Sequence, residues 1–231
     1  MILLNYIQEG SQAVADGESV EKTLSIIDLI GSGGTAGIII IGILFLLMII
    51  AIYIYFERLF AIKAATKVDA NFMNQIKDHV SQGKIDSAQI LCAQVNSPVS
   101  RLINKGITRI GKPLEDINTA IETAGRLEVY GLEKNVSVLA TISSVAPMIG
   151  FLGTVIGMIL SIFEIANSGG QIDIKQLSDG LYTAMTTTVG GLIVGIIAYM
   201  AYNHLVVRTD KVIYQMEANS LEFLDHLNEP V

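Results

Sequence analysis

Polar and apolar positions in this chain fall into long blocks, not the short alternations of a soluble fold. Three runs lack Asp, Glu, Lys and Arg: 29–56, 135–163 and 180–207. A helix needs about 20 apolar residues to cross the hydrocarbon of a bilayer. Each run is long enough, and buried helices of soluble proteins seldom reach such lengths without a charge. The pattern predicts an all-α integral membrane protein with three transmembrane helices.

The runs differ in kind. The first contains IIIIGILFLLMIIAIYIYF, rich in Ile and Leu, with Tyr53 and Tyr55 near its end. Tyrosine favours the interface, and this run reads as lipid-facing. The second and third are rich in Gly, Ala, Ser and Thr. Small residues let helix backbones approach closely where lipid supplies no hydrophobic drive. Gly153-x-x-x-Gly157 and Gly191-x-x-x-Gly195 are examples, so these two spans are expected to face protein.

Cations set the orientation. Arg58, Lys63, Lys67, Lys77, Lys84, Arg101, Lys105, Arg109, Lys112, Arg126 and Lys134 all lie between the first two spans. Before the first span there is only Lys22, and between the second and third only Lys175; Arg208 and Lys211 follow the third. The positive-inside rule then gives a periplasmic segment (1–34), a first span (35–57) and a cytoplasmic helical domain (58–134). A second span (135–164), a short periplasmic loop (165–178), a third span (179–207) and a cytoplasmic C-terminal helix (208–231) follow. No cleavable signal peptide is expected, because MILLNYIQEG lacks a basic start.

Outside the spans, Val20, Leu24, Ile27 and Ile30 share a helical face. They suit an amphipathic helix on the membrane surface or an ordinary docked helix. Residues 58–112 read as short helices. Ser97 is the expected N-cap and Pro98 the first helical residue; Gly83 and Gly111-Lys112-Pro113 are breaks. Nothing between 113 and 163 signals a stop. That stretch would form one continuous helix of about 75 Å, kinked at Pro147. The third span runs on through RTDKVIYQMEANSLEFLDHL. Two spans are thus long and project into a cytoplasmic helical bundle.

The candidate chemistry lies in intramembrane hydroxyls. Thr183, Thr187, Gly191 and Gly195 follow steps of four and share a face; Thr154 shares one with Gly150, Gly157 and Ser161. Such hydroxyls either bond back to the i−4 carbonyl and glue helices together, or the two stripes line a common polar surface. Proton relays through membranes normally use Asp, Glu or His. Here Glu57, Glu164 and Asp179 stand at span ends, and His204 at the inner end of the third. If ions cross, the titrating group comes from a different polypeptide.

Composition narrows the classes. Charged residues make up 16%, against roughly a quarter in soluble domains. The net charge of −7 argues against a basic nucleic-acid face. One cysteine, Cys92, cannot form an internal disulfide, and no metal pattern or cofactor motif appears. An intramembrane serine protease would need Ser161 and His204 together, yet the topology puts them near opposite surfaces. No GxxxxGK[ST] loop is present, and no enzyme is expected.

ATISSVAPMIGFLGTVIGMILSIF and DGLYTAMTTTVGGLIVGIIAYMAYN resemble the ExbB/TolQ/MotA family of proton-channel and motor stator subunits, most closely ExbB and TolQ. The resemblance rests on Pro147, Gly150, Gly153, Thr154, Val155, Gly157 and Met158. In the third span it rests on Gly180, Ala184, Thr188, Gly191, Leu192 and Ala201-Tyr202-Asn203. It implies a homo-oligomer, a pentamer, whose second and third spans surround a channel. A dimer of an ExbD- or TolR-like single-span protein would sit inside and supply a membrane aspartate. Proton flow would then drive a TonB-like protein. Thr154 and Thr188 match the family's channel-facing threonines. Members often carry a glutamate near the start of the third span, where this chain has Thr183. The resemblance leaves open a TolQ-like envelope role, another motor, or a scaffold that conducts nothing.

Overall fold

The computed structural model of the protein describes residues 34–66, 71–167 and 174–228. The expected amphipathic segment around residues 20–30 lies outside them. Among the described residues the chain forms seven helices and no strand: α1 (Gly34–Ala65), α2 (Phe72–Ser81), α3 (Ile85–Val95), α4 (Pro98–Ile107), α5 (Leu114–Glu133), α6 (Val136–Asn167) and α7 (Ile174–Asn228). Three stretches are long and apolar enough to cross a membrane, within α1, α5–α6 and α7. The 55 residues of α7 make a helix of about 80 Å, so it continues far beyond any bilayer core of about 30 Å.

The start and stop signals of the short helices hold. Ser97 is extended (φ −99°, ψ 163°), and its Oγ accepts from the Ser100 backbone N–H at 3.1 Å. The Ser100 hydroxyl oxygen accepts from the Ser97 N–H at 2.8 Å, so two orphan donors are satisfied. Gly83 (φ 71°) and Gly111 (φ 94°) take the left-handed region and end their segments.

One expectation fails. The helix read as continuous over 113–163 is broken: Lys134 is extended (ψ 130°) and Asn135 has φ 64°. Asparagine is among the few non-glycine residues that tolerate this region. The Asn135 carbonyl then accepts from Val138 at 3.2 Å and starts α6. At the same level Arg58, buried near the end of α1, donates to the Gly131 carbonyl at 3.1 Å. That carbonyl is one of the last of α5, so a cation meets the negative end of a helix. Glu57 balances it, accepting from Arg58 Nε at 2.7 Å.

Beyond this break, α2, α4 and α5 pack on the C-terminal half of α7, and α3 packs on α2 and α4. Phe72, Ile76, Ile103, Ile107, Ile121 and Phe223 form the fully buried centre. Gly106 explains how α4 enters: a Cβ there would lie 2.7 Å from Phe223 and 2.8 Å from Ile121. On the spanning side, α6 and α7 pack against each other most extensively and α1 lies across both. Ile40, Leu44, Ala51 and Ile54 of α1 are buried, while Phe45 and Tyr53 are exposed. Each of α6 and α7 buries one face. The opposite faces, with Phe151 and Met185, stay exposed in the single chain.

Candidate functional site

The two small-residue stripes meet. Gly150, Gly153 and Gly157 of α6 face Gly180, Ala184, Thr187 and Gly191 of α7 in antiparallel register. A Cβ on Gly191 would lie 2.6 Å from the Ala146 carbonyl and 2.9 Å from the Gly150 Cα. One on Gly150 would lie 2.8 Å from the Thr187 carbonyl, and one on Gly153 would lie 2.7 Å from the Thr187 Cβ. One on Gly157 would touch the Ala184 methyl at 3.0 Å. The backbones are therefore in direct contact, as the composition implies. Gly195 extends the seam against the Pro147 ring, 2.6 Å from a would-be Cβ, and beside the Ser143 carbonyl at 3.1 Å. That carbonyl is the one left without an i+4 donor by Pro147, and α6 continues through the proline. Ala146 carries no motif in the sequence; only its spacing to Gly150 and Gly153 marks it as part of this face.

The four threonines separate into two groups. Thr183 and Thr187 are buried, at 7% and 1% exposure. Thr183 packs outward, its Cγ2 2.9 Å from a would-be Cβ on Gly37 of α1. Thr187 lies inside the seam and donates to the Ala184 carbonyl (2.8 Å) or the Gly150 carbonyl (3.3 Å). Thr154 and Thr188 are half-buried at its rim, with their hydroxyls in direct hydrogen-bond contact. Thr188 also reaches the Gly150 carbonyl at 3.1 Å, and Thr154 the Ala184 carbonyl at 3.3 Å. Other hydroxyls fold back on their own helix: Thr141 on Ser137, Ser161 on Gly157 and Thr186 on Tyr182.

Counting protons shows what the pair can do. Each hydroxyl has one hydrogen and two lone pairs. In this geometry one hydrogen bridges the pair and the other goes to a backbone carbonyl. What remains for a newcomer is lone pairs. The rim therefore accepts a hydrogen bond, from a water or a protonated acid, while neither hydroxyl titrates.

Three apolar helices with a close-packed polar seam define a multi-pass membrane protein of the helix-bundle class. Residues 94–218 match the MotA/TolQ/ExbB proton channel family, and the chain belongs to that family. It is 25% identical over 197 residues to a putative biopolymer transport protein ExbB homolog of Methanothermobacter thermautotrophicus, covering 84% of this chain and 67% of that one. It is 31% identical over 194 residues to the Tol-Pal system protein TolQ of Haemophilus influenzae, covering 76% and 80%. Over 79 residues, 34% of this chain and 54% of the relative, it is 40% identical to the biopolymer transport protein ExbB of Helicobacter pylori.

Proposed function

We propose that the chain is an ExbB-like subunit of a proton-driven motor in the bacterial inner membrane. Five copies surround a channel with their second and third spans. A dimer of an ExbD- or TolR-like single-span protein sits inside and carries the titrating aspartate. Proton flow moves the two against each other, and a TonB-like protein passes the work to outer-membrane transport. The N-terminus is periplasmic; α2–α5 and the far half of α7 lie in the cytoplasm. The exposed apolar faces of α6 and α7 are the surfaces that neighbouring copies cover.

The observation that carries this reading is the Thr154–Thr188 hydroxyl pair, half-buried at the rim of a seam in a run without Asp or Glu. An acceptor-only rim suits the protonated state of a partner's acid, which must cross the apolar layer neutral. The test is proton flux in liposomes, with and without the small partner, for the parent chain, Thr154→Val and Thr188→Val. Valine keeps the shape and removes the hydroxyl. The complex should assemble and flux should fall; parent-level flux in both variants overturns the role. Brisk flux from this chain alone overturns the partner's share of it, and no flux from any combination favours a non-conducting scaffold. The 31% identity to a TolQ over most of both chains supports a TolQ-like envelope role as the second reading. The small partner that co-purifies separates the two.

A further inference from the structure

Helices α1 and α7 run parallel: Gly37 lies against Thr183, Leu44 against Gly190, and Tyr55 against His204. Between them, on the side away from the α6–α7 seam, is a groove of about 430 Å³. That volume falls within the usual range of ligand pockets, about 300–1,000 Å³. Its walls are Ala51, Ile52, Ile197, Met200 and Ala201, and its end is closed by Tyr55 and His204. Ile52 and Met200 are 41% and 66% exposed, so the groove is open along its outer side in the single chain.

The polar end has a definite proton arrangement. Arg208 Nε donates to His204 Nε2 at 2.9 Å, and a guanidinium can only donate. The neutral imidazole therefore keeps its proton on Nδ1. Nδ1 lies 2.8 Å from the Tyr55 hydroxyl oxygen and donates to it. This leaves the Tyr55 hydrogen and both terminal amino groups of Arg208 without an acceptor among the described residues. Lys211 stands three residues further along α7, on the same side. Asp210 lines a different cavity, with Thr209, Tyr130 and Lys134. Net charge at the groove's end is positive, its free groups are donors, and its body is apolar. An amphiphile with an acceptor-rich anionic head satisfies both parts.

We propose that the α1–α7 groove binds an anionic phospholipid, with its phosphate on Arg208 and Tyr55 and an acyl chain along Ile52, Ile197 and Met200. The inference needs only that the chain is embedded in a membrane, and it stands independently of proton conduction. The chain has no tryptophan, so Tyr53→Trp, beside the groove and outside its walls, supplies a single reporter. The full chain is reconstituted in phosphatidylcholine vesicles with a minor fraction of phosphatidylglycerol, and one lipid or the other carries brominated, quenching acyl chains. Brominated phosphatidylglycerol should quench more than its share of the bilayer. Arg208→Gln should cut that preference about fivefold, from one cation at an anionic surface, and Arg208→Lys should keep most of it. Ala201→Leu, which fills the groove and leaves the cations, should abolish it; Lys105→Gln, on α4, should not change it. Equal quenching by both lipids in the reporter chain means ordinary boundary lipid only and overturns the proposal. So does a preference that survives Arg208→Gln or Ala201→Leu, or that falls equally with Lys105→Gln.

Discussion

Replacing Gly191 with alanine puts a methyl group where α6 has only backbone. The nearest atoms would be the Ala146 carbonyl oxygen at 2.6 Å, the Gly150 Cα at 2.9 Å and the Gly150 nitrogen at 3.1 Å. None can rotate away. Ordinary contact begins at 3.4 Å, so the helices must part by roughly 0.8 Å at this level, and gaps of that size forfeit about a quarter to a half of each dispersion contact. Overpacking costs about 1–3 kcal/mol, and a rigid backbone neighbour sets it near the top. Parting also stretches the Thr187 and Thr188 bonds to the Gly150 carbonyl beyond their present 3.3 and 3.1 Å, worth about 0.6 kcal/mol each in a membrane. Alanine's better helix propensity returns up to about 1 kcal/mol. The net loss is about 3 kcal/mol. At about 2–4 °C per kcal/mol for a chain of this size, thermal unfolding in detergent, followed by circular dichroism, should move down by about 6–12 °C. Gly42→Ala is the matched control, because nothing lies within 4 Å of its would-be Cβ; it should melt with the parent or slightly above. If Gly191→Ala melts with the parent, the backbone contact described for α6 and α7 is wrong.

Three further outcomes follow from local features. Asn135, at φ 64°, should accept glycine without loss, while Asn135→Ala should cost about 1–2 kcal/mol by the same melting assay. Burial pushes the Cys92 thiol up to about 12, so maleimide labelling at pH 8 should be slow in the folded protein and fast once it unfolds. The unfolded thiol ionises near 8.5, so this group lowers folded-state stability as pH rises from about 8.5 towards 12 and has no effect at pH 7. The Glu128 carboxylate hydrogen-bonds Arg101, from Nε at 2.7 Å, and raises its pKa further above neutrality. The pair is partly exposed, so a double-mutant cycle of Arg101→Ala with Glu128→Gln should give no more than about 1 kcal/mol, shrinking with added salt.

The spans were legible because charge is excluded from hydrocarbon, and that rule leaves long, unmistakable gaps. Ser97-Pro98, Gly83 and Gly111 were legible because each supplies a group or a dihedral that few residues can. The break at Lys134–Asn135 was not. Asparagine is permitted in the left-handed region without being confined to it, and Glu133 and Val136 on either side carry no breaker. The glycine stripes announced a close contact, and the contact is there. What spacing could not resolve was the division among the threonines. A step of four residues overshoots one full helical turn, so residues in such a row drift steadily around the axis. That drift contributes to turning Thr183 towards Gly37 of α1 while Thr187 faces Gly153 of α6. The link from Tyr55 to Arg208 through His204 had no linear signal, since it joins residues far apart in the chain.

The division among the threonines also decides how their variants must be read. Thr187 and Thr188 both reach the Gly150 carbonyl, so removing either hydroxyl weakens the seam as well as changing its chemistry. Thr154 sits on the outer side of the pair, and its shorter contact is to Thr188, not to backbone. In Thr154→Val the Thr188–Gly150 bond survives; what disappears is the hydroxyl of Thr154 and its share of the lone pairs at the rim. A proton role therefore predicts that Thr154→Val lowers flux while leaving the melting temperature nearly unchanged. Thr187→Val, fully buried at 1% exposure, should do the reverse, lowering the melting temperature with flux retained in the complexes that assemble. A helix-packing role for all three predicts that flux tracks stability across the set. Measuring both quantities on the same three preparations separates these accounts, because only the first lets Thr154→Val fall off the common line.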